Sequence, residues 1–223
     1  GGGARSSAFT PARAVPNDLS LGGDGAGDGT RPPSPRALVI TGPNMGGKSA
    51  LARAAGLAVI MAHAGCFVPA AAAALTPVDA VFTRMGAADD LLRGRSTFHE
   101  ELADAATILA HASPRSLAIV DELGRGTSTH DGAALAGAVL AHLAGVVEGG
   151  GGGGGGSVPA GPPGPGALTL FITHYSDIAR EAGGAGGGAV AAAHMACLER
   201  PAGGGGGGGC GDASPSSTPH IIF

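Results

Sequence analysis

The segment Leu38–Ser49, LVITGPNMGGKS, constrains this chain more than any other. An aliphatic and β-branched run (Leu38, Val39, Ile40, Thr41) stops at Gly42, passes through a turn holding Gly46 and Gly47, and reaches Lys48 and Ser49 ahead of an alanine- and leucine-rich stretch. That order predicts a strand, a loop and a helix. The spacing G-x-x-x-x-G-K-[ST] is filled by Gly42, Gly46 or Gly47, Lys48 and Ser49, with Pro43, Asn44 and Met45 inside it, and it describes a loop that cradles phosphates. Glycines without a Cβ let backbone N–H groups turn inward, and the new helix N-terminus adds partial positive charge. Lys48 is expected to reach the β- and γ-phosphates of ATP, and the Ser49 hydroxyl to ligate Mg²⁺. The plain alternative is a glycine-rich turn with a surface lysine. Strand, full motif and helix in the right order favour nucleotide binding.

A second apolar run, Leu117-Ala118-Ile119-Val120, predicts a parallel strand buried on both faces, and it delivers Asp121 and Glu122 at its C-terminal edge. Asp121 is expected to hold Mg²⁺, directly or through water, and Glu122 to polarise the attacking water. The second carboxylate favours hydrolysis over phosphoryl transfer to an alcohol. A third apolar run, Leu168 to Thr173, ends at His174, on the edge where open α/β sheets bind ligands. There His174 can donate a hydrogen bond to a γ-phosphate. The structural alternatives are a solvated turn pair and a capped turn histidine. The remaining histidines have no metal-ligand spacing and read mostly as surface or structural residues.

Between these runs the pattern predicts a helix over 47–63, with Leu51, Ala54, Ala55, Ala58 and Met61 near helical spacing, and a strand over 78–84. A second helix starts at Ser96 as N-cap and ends before Ser113-Pro114, with Glu100 and Glu101 favouring its positive end. A third runs from Asp131 to about Leu143, and strands follow over 190–198 and 221–223. The expected fold class is α/β: a mostly parallel central sheet flanked by helices, in a P-loop NTPase with flexible glycine-rich inserts.

Glycine supplies 44 of 223 residues, much of it in the runs Gly149–Gly156 and Gly203–Gly209, which bury nothing and read as flexible inserts. Residues 1–35 read as mostly disordered, 36–200 as the folded domain with an insert at 149–166, and 201–223 as a glycine-rich insert and a truncated last strand, which makes the chain a fragment. A net charge of −4 leaves no basic footprint for nucleic acid. The three cysteines lie far apart and form no C-x-x-C, which argues for a reducing compartment. No apolar run approaches the roughly 20 residues of a membrane span, so no membrane partner is expected.

The segments TGPNMGGKS (41–49), FTRMGAADDLLRGRSTF (82–98), EEL (100–102), DELGRGTSTHDG (121–132) and TLFITHY (169–175) together resemble the ATPase domain of the MutS mismatch-repair family. Within it they are most similar to the eukaryotic subunit that handles insertion–deletion loops. The resemblance implies an ABC-type ATPase acting as a homo- or heterodimer with a second MutS-family subunit. ATP would lie between the subunits, with Ser96 and Thr97 facing the partner's γ-phosphate in trans and the segment 124–129 crossing the interface. It also implies that mismatched or looped DNA is held by domains absent here, and a nuclear location, with an organellar one the alternative. Three positions depart from the family pattern, as do the glycine-rich inserts at 149–166 and 203–211; one is Ala50, which follows Ser49 in place of a hydroxyl residue. Ala14 precedes Val15-Pro16-Asn17 where an aromatic residue stacks on adenine, and His99 replaces a methionine after STF. Two rival functions are a nucleotide-gated dimerisation module with little hydrolysis and a P-loop small-molecule kinase, with Arg93 and Arg95 imitating its lid.

Overall fold

In the computed structural model the chain is described over residues 16–22, 34–86, 97–146, 164–184, 189–196 and 220–222. In chain order the elements are β1 (Leu19–Ser20), β2 (Ala37–Thr41), α1 (Lys48–His63), β3 (Ala72–Ala74), β4 (Val81–Arg84), α2 (Thr97–His111), β5 (Leu117–Asp121), α3 (Thr129–Ala144), β6 (Leu168–Ile172), α4 (Ser176–Gly184), β7 (Val190–His194) and β8 (His220–Ile222). Five strands form one sheet in the order β4-β5-β6-β2-β7, and every pair in it is parallel. A small second sheet, β1-β8-β3, is also parallel.

The side-chain alternation of each strand divides the core into two layers. Ala37 and Val39 of β2, Ala118 and Val120 of β5 and Phe171 of β6 pack with Ala105 and Ile108 of α2, Ala136, Val139, Leu140 and Leu143 of α3, and Ile178 of α4. Ile40, Leu117, Ile119, Leu168, Leu170 and Ile172 point the other way, onto Ala52, Ala55 and Val59 of α1 and Leu19 and Leu21 near β1. Strands covered on both faces must be apolar throughout, and β5 and β6 are buried at all five positions. Helix α1 lies so close that a Cβ on Gly56 would stand 2.9 Å from Ile119 Cδ1. None of the described helices is long and apolar enough to cross a membrane.

The expected α/β class and the three main apolar strands are present. Several boundaries differ. The buried stripe of α1 is Lys48, Ala52, Ala55, Gly56, Ala58 and Val59, whereas Ala54, expected at helical spacing, is exposed and Leu51 and Met61 are half-buried at its margins. Strand β4 begins at Val81 rather than residue 78, since Asp79 is engaged by Ser113 and Ser116 and its N–H by the Arg115 carbonyl. Strand β7 ends at His194. Helix α3 starts at Thr129, not Asp131: Ser128 is its N-cap and accepts from the Asp131 N–H at 3.2 Å. Two elements were not expected, α4 and the three-alanine strand β3. Ser96, Ala14, Arg93, Arg95 and the glycine runs lie outside the described residues.

Candidate functional site

The C-terminal ends of the parallel strands β5, β6, β2 and β7 lie along one edge of the five-stranded sheet. Register places Asp121 of β5 opposite Ile172 of β6, and Ile172 opposite Ile40 of β2, so Glu122, Thr173 and Thr41 form the next row outward. Thr41 pairs in turn with His194 of β7. Ligand sites of parallel sheets form at this edge, because the loops that follow the strands are free of crossover geometry there.

The segment from Thr41 to Ser49 leaves β2 and turns into α1. Gly42 has φ +139, and a Cβ there would stand 2.6 Å from the Met195 carbonyl oxygen, so only glycine lets the chain pass beside the end of β7. Gly47 is the N-cap of α1 at φ +91, with no side-chain cap bond and no acidic residue in the first turn. The first amides of α1 and its dipole are thus left for an anion. Met45, at the crown, is fully exposed with φ 66, a left-handed conformation that costs a non-glycine residue energy. Pro43 and Asn44 are exposed beside it, and the Gly46 N–H closes the turn onto the Pro43 carbonyl at 3.1 Å. Lys48 is buried, and its Nζ donates to the Gly42 and Pro43 carbonyls at 2.8 and 2.9 Å. The ammonium is therefore held under the loop rather than in solvent.

Asp121 ends β5 across from α1, with Ser49, Arg53 and Lys48 of that helix near enough to act on its charge. Its Oδ1 is buried without a partner among the described residues. Burial pushes the Asp121 carboxyl above the ordinary carboxylate range; the Ser49 hydrogen bond opposes this and the Glu122 charge adds to it. A carboxylate with one buried oxygen lacking a donor, on a residue near a serine, offers hard oxygens suited to a small divalent cation that keeps most of its ligands as water and phosphate. Among the described residues no group of three or more His, Cys, Asp or Glu side chains forms a closed metal cage.

Glu122 has φ 53, again left-handed for a non-glycine residue, and its N–H donates to the Ile172 carbonyl at 3.0 Å. Its Oε2 is paired with Arg125 Nη1 at 2.8 Å. His174 is exposed at the end of β6, with its ring 4.1 Å from that of Tyr175, centroid to centroid. Asp121, Glu122 and His174 thus sit at or just past the ends of the neighbouring strands β5 and β6, and Lys48 and Ser49, at the start of α1, act on Asp121. Ser96 lies outside the described residues, although α2, which follows it, begins at Thr97.

Four site residues escaped the sequence reading. Glu101, expected to favour the helix dipole, is instead buried and salt-bridged to buried Arg84, Oε1 to Nη2 at 2.9 Å, and its Oε2 accepts from the Gly124 N–H at 3.1 Å. Tyr175 is buried, donates its hydroxyl to the Gly124 carbonyl at 3.1 Å, and has its phenol pushed up by burial and by the Glu101 charge. His194 brings its Nδ1 within 3.2 Å of Thr41 Oγ1. No local pattern distinguishes a carboxylate that reaches inward from one that faces solvent, and the second of two adjacent glutamates gave no sign of its partner seventeen residues upstream.

Residues 38–149, half of the chain, match the family model for MutS domain V. The chain is 53% identical over 150 residues to the DNA mismatch repair protein MSH3 of Chaetomium globosum, a stretch covering 67% of this chain and 11% of that protein. It is 45% identical over 189 residues to the msh3 protein of Aspergillus fumigatus, covering 85% of this chain and 14% of the relative. Against the DNA mismatch repair protein Msh6 of Gallus gallus it is 44% identical over 184 residues, covering 82% and 12%. The chain therefore spans a small part, between 11% and 14%, of the length of these relatives. With the matched stretch running from β2 through α3 and holding the loop, Asp121 and Glu122, the chain belongs to the MutS family, of which it carries domain V.

Proposed function

We propose that this chain is the P-loop, ABC-type ATPase engine of a DNA mismatch-repair protein, binding ATP with Mg²⁺ and hydrolysing it to switch a DNA-bound clamp. The observation that carries the reading is the meeting of the Gly42–Ser49 loop with Asp121, a carboxylate that Ser49 and Lys48 act on and whose buried Oδ1 has no hydrogen-bond partner among the described residues. Bound Mg²⁺ would supply charge neutralisation at the β- and γ-phosphates. The chain's own residues do the rest. The backbone N–H groups of residues 44 to 49 bind the phosphates, and Lys48 exchanges its two carbonyl partners for phosphate oxygens. Ser49 and Asp121 hold the cation, Glu122 takes the proton from the attacking water, and His174 donates to the γ-phosphate. Residues 36–200 act as the working unit.

The relatives' names, DNA mismatch repair proteins MSH3 and Msh6, support a repair role, and a nuclear location and a second MutS-family subunit as partner belong to the same proposal. DNA, mismatched or looped, is contacted through other domains, in keeping with the −4 charge of this chain. One observation favours a catalytic requirement for that partner: the Glu122 carboxylate is engaged by Arg125, whose own side chain is largely exposed, so the base must be released before it can act. A module that binds nucleotide and dimerises with little hydrolysis is the second reading this contact supports.

In the intact protein carrying this chain, Glu122→Gln is expected to keep ATP binding and lower steady-state phosphate release by at least about a hundredfold. Undiminished turnover would remove Glu122 as the base. Phosphate release per subunit that rises with protein concentration supports the composite site, and release below detection at every concentration supports the binding module.

A further inference from the structure

Glu122 occupies a conformation that a non-glycine residue keeps only when its surroundings over-determine it. Its own contacts are few: one backbone bond to Ile172 and a pairing with a largely exposed arginine. The rigidity comes from two residues further on. The Gly124 backbone, at φ +88, is gripped at both of its flanking peptides, its N–H by Glu101 Oε2 of α2 and its carbonyl by the Tyr175 hydroxyl, each at 3.1 Å. Gly132 closes the third side, since a Cβ on it would stand 2.3 Å from the Gly124 oxygen and 2.3 Å from the Tyr175 hydroxyl. Glu101 is itself pinned by Arg84 at the end of β4, and both are more than nine-tenths buried. Tyr175 is fixed at its backbone, where its N–H donates to Thr173 Oγ1 at 3.1 Å, and its ring lies against that of His174.

We propose that Glu101 and Tyr175 are positioning residues that clamp the Gly124 backbone and thereby hold Glu122 and His174 in a fixed mutual geometry. The inference rests on the hydrolytic reading of Glu122 and adds how that residue is aimed. Because one jaw of the clamp is α2, a displacement of that helix along its axis moves Gly124 and with it Glu122. Because the other jaw is the residue after His174, the two groups at the strand ends move together. A buried Arg84–Glu101 pair serving stability alone would need neither the bond to Gly124 nor the tyrosine on its far side.

The test uses the intact protein with Tyr175→Phe, Glu101→Gln, their double variant and Glu122→Gln as reference. It measures the Kd of a fluorescent ATP analogue, kcat and KM from phosphate release, and the urea midpoint. Tyr175→Phe keeps the ring and deletes only the hydroxyl, so it remains informative if Glu101→Gln folds poorly. A small misplacement of a catalytic group costs on the order of ten- to a hundredfold in rate. The expected result is a fall of that size in kcat for each single variant, with Kd and KM within about twofold of wild type, and a double variant little worse than the poorer single one. Wild-type kcat in the folded single variants overturns the proposal, as does a loss that tracks the urea midpoint or adds fully in the double variant. If Glu122→Gln turns over normally, the hydrolytic reading falls and this inference with it. If Glu122→Gln is inactive while Tyr175→Phe keeps full kcat, only the clamp is lost.

Discussion

Asp121 is a residue whose placement costs stability and prepares chemistry. Its carboxyl is buried and its folded pKa is raised, so the folded state holds the proton to higher pH than the unfolded chain does. Stability is therefore lost as pH rises from the unfolded value of 3.8 through the folded one, and the ligand-free protein carries that cost at neutral pH. Asp121→Asn removes the charge with little change of shape. It is expected to raise the stability of the ligand-free protein at pH 7 by about 1 kcal/mol, roughly 2–4 °C in Tm, with the gain shrinking toward pH 4. The same variant should abolish the extra Tm that ATP confers when Mg²⁺ is added. Thermal melts across pH, with and without Mg²⁺ and ATP, check both. Asp121 was legible in the sequence because it follows a wholly apolar run, and Lys48 and Ser49 because a motif specifies them. Glu101, Arg84 and Tyr175 were not, since what makes them matter is contact between distant parts of the chain: Glu101 and Tyr175 bond Gly124, and Arg84 pairs with Glu101.

Among the elements, the join between β4, α2 and β5 shows how one polar residue sets a boundary. Asp79 accepts hydrogen bonds from Ser113 Oγ and Ser116 Oγ, and these bonds hold its carboxyl below the usual carboxylate range. A lowered folded pKa means the contribution is present above the unfolded value of 3.8 and is lost as pH falls through the folded one. Asp79→Asn is expected to lower the urea midpoint slightly at pH 7. The difference from wild type should close as pH is brought well below 3.8, and a difference independent of pH would contradict the assignment. Strand β3 shows the limit of local reading. Ala72–Ala74 is exposed and has no β-branched residue, and it is a strand because β8 pairs with it from the far end of the chain. Helix α4 was hidden for a related reason, being short, with Ile178, Ala179 and Ala182 alone reaching the core among its described side chains.

For the whole molecule, β6 is the keel: it is the middle strand, it is buried throughout, and its C-terminal end leads to His174. Phe171 is fully buried among residues of the α2, α3 and α4 layer. Phe171→Ala is expected to cost about 3–5 kcal/mol, read as a lower urea midpoint with cooperative unfolding retained. A cost under about 1 kcal/mol would mean that the layer packs without it. By itself the sequence determined what local chemistry can encode: an α/β alternation, three apolar strands, the loop from Gly42 to Ser49 and the acids that follow β5. Each rests on a run or spacing of neighbouring residues, and periodicity and motif express such information directly. Only the tertiary structure decided the strand order β4-β5-β6-β2-β7, the pairing of β3 with β8, and the clamp of Glu101 and Tyr175 on Gly124. These depend on which distant residues meet, and that is settled by burying two apolar faces of one sheet at once.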